Sequence, residues 1–440
     1  MRALLLLGLL LASGARAQDF SAVDALLADS LAQIGGGAAL LVVHDGEVVH
    51  RAAYGSFTTE TAVPIASATK WLSGALIASL LSDGTLTVAD SLAMFVPTLE
   101  GEIRGVTVGQ LFSHTSGLPG GSGLAAPLCL SNPLTTLGAC TRSVLEDGLT
   151  ISPGAGFAYG GASMHVAGHV AEIATGERWV DLFEARIAGP LGMTATTWNT
   201  ALNPRIAGGA TSTIDDYGAF LQMLLAEGVY DGQRVLTPEA IGAMLADQTD
   251  GAPILESPYE RYAAQYPELP PVDEIRYGLG VWREGVAEDG SLRVASSPGA
   301  FGTAPWIDLE ARLGAVLLVE DRLPDAFGTY LALQQLVREA VGAPVAVEPQ
   351  MESPGLRVEA PHPNPARHRT AVRVTLPEAS RLTASVVDAL GRRVAVLADE
   401  RLSAGEHRLA LDTRTLAPGV YRVVARAGAE TASRALVVVR

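Results

Sequence analysis

Lysine is almost missing from this chain. Of its 31 lysines and arginines, one is a lysine, Lys70. Basic charge is scarce as well. The 47 acidic residues leave a net charge of −16, which argues against nucleic acid or an anionic membrane surface as partner and favours solubility. Cysteine occurs twice, at Cys129 and Cys140. Neither has a sequence context that would lower a thiol pKa, so a cysteine nucleophile is not expected. Long apolar runs are lacking too. The run at residues 4–11 is short for a bilayer, and no later stretch is a spanning candidate.

What is present suits a large exported protein. With 440 residues, 48% of them hydrophobic, the chain can build a sizeable core and at least two domains. Met1-Arg2-Ala3, the apolar run and Ala15-Arg16-Ala17 read as a secretory signal peptide cut after residue 17. In an exported chain, Cys129 and Cys140 suit a disulfide stapling the Asn-, Pro-, Thr- and Gly-containing segment between them. Two free buried thiols are the alternative.

The single lysine lies three residues after a serine, in Ser67-Ala68-Thr69-Lys70. An arginine cannot shed its proton near neutral pH, whereas a partly buried lysine can. If a helix starts near Ser67, the spacing puts both side chains on one face. The amine can then take the hydroxyl proton and activate a weak nucleophile. The apolar run after Lys70, ended by Asp83-Gly84, predicts that helix. Its N-terminal field would favour an alkoxide and a nearby oxyanion. Chance survival of one lysine in an arginine-biased chain is the plain alternative.

Further segments carry a resemblance. Ser-x-x-Lys is followed by Ser82-Asp83-Gly84-Thr85-Leu86-Thr87-Val88-Ala89-Asp90, then Val106-Thr107-Val108-Gly109-Gln110-Leu111-Phe112-Ser113-His114-Thr115-Ser116-Gly117-Leu118. Gly189-Pro190-Leu191-Gly192-Met193 and Ala207-Gly208-Gly209-Ala210-Thr211-Ser212-Thr213 come later. Over residues 21–341 the chain resembles the serine β-lactamase and penicillin-binding protein superfamily, nearest its class C β-lactamase, D-aminopeptidase and family VIII esterase branch. The resemblance implies an α+β fold, with an antiparallel sheet flanked by helices and a helical region. It implies Ser67 as nucleophile and Lys70 as its base. Tyr159, after Pro153-Gly154, resembles the family tyrosine that shares proton transfer. A nearby lysine cation is expected to lower its pKa. A packing tyrosine is the bland alternative.

Two positions depart from the family pattern. Gly161 stands where an asparagine amide would meet substrate and lysine. Ser297-Pro298-Gly299 stands where a Lys/His-x-Gly motif is expected on a strand bordering the site. Ser297 is expected to offer substrate one neutral hydrogen bond, and Gly299 to allow its close approach. Pro298 suggests an edge strand. The Ala300 N–H joins that of Ser67 as the implied oxyanion pair.

Other readings concern organisation. Residues 19–34 have helical periodicity, and Asp45-Gly46 joins two strands of a hairpin. Residues 85–230 look mostly helical. His165 and His169 are i, i+4 on a helix but lack a third ligand nearby, so no metal and no cofactor is expected. Residues 247–275, rich in Pro and Tyr, read as a lid, a binding wall or a surface excursion. Residues 326–341 read as an apolar-periodic helix, able to pack beside the first.

Residues 342–355 read as a linker and 356–440 as a small β-sandwich. Pro363-Asn364-Pro365, Val387-Asp388-Ala389-Leu390-Gly391, Leu402-Ser403-Ala404-Gly405 and Leu416-Ala417-Pro418-Gly419-Val420-Tyr421 resemble the C-terminal sorting domain of type IX secretion substrates. An Ig-like accessory module binding glycan or cell wall is the alternative. The expected divisions are a signal peptide at 1–17, a hydrolase domain at 18–341, the linker and the sorting domain.

The expectation is a secreted or surface serine hydrolase, passing through the periplasm. It acts on a small ester or amide substrate and meets the secretion machinery through its tail. β-Lactamase or D-Ala-D-Ala carboxypeptidase action, and a non-catalytic cell-wall-binding protein on the same fold, are the alternatives.

Overall fold

The computed structural model describes residues 18–439 except 121–125, 264, 267–268, 270–273, 288–289, 343–355, 360, 389–391 and 429. The signal-peptide reading and nearly all of the linker lie outside the described residues, as does part of the Val387–Gly391 motif.

The chain opens with helix α1 (Ser21–Ser30) and a hairpin of β1 (Gly37–His44) and β2 (Glu47–Gly55). Asp45 and Gly46 at its tip both have positive φ, 52° and 87°, as a tight primed turn requires. Helix α2 (Thr69–Ser82) follows. The region after it contains α3 (Leu137–Asp147), α4 (Ala162–Thr175), α5 (Ile214–Leu225) and α6 (Pro238–Leu245). Thr213 and Thr237 cap the last two through their side chains, and Pro238 takes the first-turn position that needs no N–H.

The chain then returns to the sheet as β3 (Arg276–Tyr277), β4 (Trp282–Val286), β5 (Leu292–Ser296), β6 (Ala304–Asp308) and β7 (Leu313–Val319). Helix α7 (Leu323–Ala340) closes this part. The seven strands form one antiparallel sheet in the order β3-β4-β5-β6-β7-β1-β2.

Alternation along β1 builds two cores. Ala38, Leu40 and Val42 pack with α1 and α7 on one face. Ala39, Leu41 and Val43 join α2 and α5 on the other. Helix α2 is buried all round: every residue from Thr69 to Leu80 is buried, as suits a helix inside a large domain.

Strand β5 pairs on both sides, so the edge-strand expectation for Pro298 does not hold. The strand ends at Ser296, and Pro298 sits in the connection to β6, where no ladder N–H is called for. The described part of residues 247–275 is an anchored wall. Ile254–Glu256 pairs in parallel with Phe157–Ala158. Tyr259, Tyr262 and Tyr266 are buried, and Tyr262 stacks on Phe327 of α7 at 4.0 Å between ring centroids.

The tail forms two small antiparallel sheets. β8 (Arg357–Val358), β9 (Arg369–Leu376) and β12 (Gly405–Asp412) make one. β10 (Ser380–Val387), β11 (Arg393–Leu402), β13 (Gly419–Ala427) and β14 (Glu430–Val438) make the other. Val372, Val374, Leu382, Ala384, Val423 and Leu436 share their core. Val437 and Val439 instead pack into the cluster formed by α1 and α7.

Candidate active site

The nucleophile candidate sits on a forced turn. Ala66 has φ 44°, a left-handed conformation that an L-residue adopts only where its surroundings impose it. A short 3₁₀ turn at Ala66–Ala68 leads directly into α2. The turn is tied down from outside. Tyr217 Oη donates to Ala68 O (2.8 Å), and Ser297 Oγ to Ser67 O (3.2 Å). Ser73 Oγ donates to Ile206 O (2.6 Å), and Ala210 N to Thr69 Oγ1 (3.1 Å), binding α2 to residues 206–210.

Lys70 Nζ donates to Ser67 Oγ at 3.1 Å and to Ala207 O at 2.8 Å. Lys70 is 3% exposed. Burial, with a smaller push from the Arg205 guanidinium, lowers its pKa from 10.5 to about 7. Desolvation disfavours the ammonium, so the amine spends much of its time neutral near pH 7 and can accept a proton. The amide expected from an asparagine at position 161 is replaced by the Ala207 carbonyl as partner of the lysine. Gly161 itself lies just before α4. A Cβ built there would stand 3.4 Å from Leu130 and 3.8 Å from Ala207.

Tyr159 lies over the amine, with Lys70 Nζ 4.5 Å from its ring centroid. Trp282, at 5.1 Å, stacks with the ring. Tyr159 N donates to Glu256 O (3.0 Å), so the aromatic wall fixes its backbone. The expected lowering of its pKa is not what the environment produces. Burial pushes the phenol up and outweighs the opposing hydrogen bond with Ser67. The phenol therefore stays protonated, and the buried Lys70 amine beside Ser67 Oγ is the group that can take up a proton near pH 7.

Ser297 faces inward rather than toward a substrate. It is 1% exposed, and its hydroxyl reaches the carbonyls of Ser67 (3.2 Å) and Gly280 (3.3 Å). Both acceptors are the protein's own backbone, and one of them belongs to the Ser67 turn. Gly299 likewise serves close approach to the protein's own chain. A Cβ there would meet Ile65 O at 2.1 Å and Ala68 N at 3.3 Å. Ala300 is exposed beside it. Neither its N–H nor that of Ser67 donates to a backbone acceptor among the described residues.

Cys129 and Cys140 are disulfide-bonded. Asn203 Nδ2 donates to Cys129 O and Asn132 O, both at 2.9 Å. Its Oδ1 stands 2.9 Å from His165 Nε2. His165 is buried, with its pKa lowered by that burial to about 4, and His169 pairs with Glu172. Among the described residues no cluster of His, Cys, Asp or Glu could hold a metal.

The sequence carries no mark of Ala207, Arg205 or His114 as neighbours of Lys70. Ala207 and His114 lie inside segments that carried the resemblance, but a backbone carbonyl and a buried imidazole give no local signal of their role.

The Beta-lactamase family description matches residues 23–340, and the chain belongs to that family. Residues 361–439 match the secretion system C-terminal sorting domain. A Bacteroides dorei protein classed as a beta-lactamase is 31% identical, with a TM-score of 0.65, over 74% of this chain and 99% of that one. The D-amino acid amidase of Ochrobactrum anthropi is 20% identical, with a TM-score of 0.54, over 72% and 98%. EstCE1, a hydrolase with promiscuous acyltransferase activity, is 18% identical, with a TM-score of 0.55, over 73% and 95%. The last two share the fold at low identity. The sorting domain goes with a secreted or cell-surface protein, and no described helix is long and apolar enough to cross a membrane.

Proposed function

We propose that this protein is a secreted serine hydrolase that forms a Ser67 acyl-enzyme on small esters or D-amino-acid-type amides. The carrying observation is the 3.1 Å bond between Ser67 Oγ and a buried amine with a pKa of about 7. Neutral Lys70 takes the Ser67 proton as Oγ bonds to the substrate carbonyl carbon. The Ser67 and Ala300 N–H groups receive the oxyanion. The proton passes by way of Tyr159 to the leaving alcohol or amine as its bond to carbon breaks. Water then adds to the acyl-enzyme, giving one proton to neutral Lys70, and that proton returns to Ser67 Oγ as the bond to the acyl carbon breaks and the acid departs.

Small esters fit this site better than β-lactams do. Gly161 brings no amide to a β-lactam side chain, and Ser297, turned inward, brings no cation to a carboxylate. The proposed divisions are a hydrolase domain at 18–341, a linker at 342–355 and a sorting domain at 356–440. The family matches at 23–340 and 361–439 support them.

A panel of p-nitrophenyl esters, D-amino-acid amides, a D-Ala-D-Ala peptide and a chromogenic cephalosporin tests the reading on the full chain beside Ser67→Ala. Ester or D-amide turnover at least about 100-fold above that of the cephalosporin is expected, and it should vanish in the variant. Preferred cephalosporin turnover would overturn the substrate assignment. Equal activity in Ser67→Ala would overturn the mechanism.

A further inference from the structure

His114 takes part in no step above, yet it stands inside the site. It is 2% exposed. Its ring lies 4.8 Å from that of Tyr159, 5.1 Å from that of Tyr277 and 5.6 Å from that of Phe157. Its Nδ1 is 3.3 Å from Ser163 Oγ in the first turn of α4, four residues after Tyr159. Its Nε2 is buried without a hydrogen-bond partner among the described residues. Its backbone has φ 60°, which histidine tolerates better than most residues. Packing alone accounts for none of this. An apolar ring would fill the same space without burying an unpaired nitrogen.

We propose that His114 is a positioning residue: its neutral imidazole, oriented by Ser163, holds the Tyr159 ring in place over the Lys70 amine. The inference rests on the proposed roles of Ser67, Lys70 and Tyr159. The titratable groups around His114 are Lys70 from α2, Tyr159 from the segment before α4 and Tyr277 from β3. Burial and the Lys70 charge both hold the imidazole's pKa well below its usual value, so it adds no second cation beside the base. A neutral ring has one N–H and one lone pair. A partner at Nδ1 selects the tautomer and the ring orientation. Ser297, where the family pattern expects a cation or imidazole, has its hydroxyl engaged with the Ser67 and Gly280 carbonyls, which leaves His114 as the imidazole beside Tyr159.

The test compares His114→Phe, His114→Gln, Ser163→Ala and the double variants in the full chain. His114→Phe keeps a ring and removes the nitrogens. It should lower kcat about 30-fold with KM within about twofold, while His114→Gln recovers to within about threefold of native. Ser163→Ala should lower kcat about fivefold alone and add nothing in the His114→Phe background, because it acts through the imidazole. Should His114→Phe fail to fold, Ser163→Ala in the native and His114→Gln backgrounds supplies the same cycle. Native kcat in His114→Phe, or fully additive losses, would overturn the proposal. Ser67→Ala is assayed beside them. If it is dead while His114→Phe is fully active, only this inference fails. If it is active, the underlying reading fails.

Discussion

Replacing Lys70 with methionine should lower ester turnover by at least about 10³-fold and yet raise the stability of the fold at neutral pH. The drop from 10.5 to about 7 means that burying the amine costs about 4 kcal/mol at pH 7. Losing its bonds to Ser67 and Ala207 offsets about half of that, leaving a net gain near 2 kcal/mol. The sign with pH follows from the two proton affinities. Unfolded, the lysine keeps its proton up to pH 10.5; folded, it gives it up near 7. The cost is therefore complete below pH 7, fades between 7 and 10.5, and is gone above. Chemical denaturation of Lys70→Met and native protein at pH 7 and pH 10.5 measures this; at pH 10.5 the burial cost is nearly gone while the lost bonds still count, so the advantage should disappear and the native protein should become the more stable by about 1–2 kcal/mol. The same titration governs activity. With Lys70 as the proposed base, kcat/KM of the native protein should rise through pH 7 and level above it. A variant less stable than native at pH 7, or activity that falls as pH rises through 7, would contradict the assignment of Lys70 as base.

The second large effect is expected at Gly299. Alanine there would put a methyl group 2.1 Å from Ile65 O, on the backbone that carries the nucleophile. Backbone cannot swing aside as a side-chain tip can, so the connection and the turn must separate. A displacement of about 1 Å at a reacting group costs about 100-fold in rate. Gly299→Ala should therefore lose about 10²-fold or more in kcat and about 2 kcal/mol of stability. Steady-state kinetics and thermal unfolding of the purified variant check both. Native kcat would mean that the turn and the connection do not constrain each other.

What could be read from the sequence was local. Asp45-Gly46 announces its hairpin because the turn chemistry lies in those two residues. Ser67 and Lys70 announce each other because a helix turns three residues into neighbours. The rest depends on residues far apart along the chain. The partner of Lys70 is a backbone carbonyl at Ala207, and no pattern predicts which carbonyl a fold will deliver. Tyr159 was expected to lose its proton easily beside a cation. Tyr159 packs, partly buried, against the aromatic wall of Phe157, Tyr277 and Trp282, and desolvation outweighs the hydrogen bond with Ser67. Ser297 and Gly299 occupy a strand-end motif that suggests substrate contact, yet they point to the nucleophile's own turn. Pro298 suggested an edge strand because it lacks an N–H, but the strand had already ended. The tyrosines of residues 247–275 gave no sign of being anchors, since Phe327 lies more than 60 residues onward.

Covalent catalysis at Ser67 is the centre of the proposed function. The most direct measurement is a stopped-flow trace of p-nitrophenyl butyrate hydrolysis by the full chain, with acid quenching and peptide mass analysis of the same reaction. The prediction is a burst approaching one p-nitrophenol per protein and a butyryl group on the peptide containing Ser67, both lost in Ser67→Ala. A butyryl group on another residue, or unchanged turnover in Ser67→Ala, would contradict it.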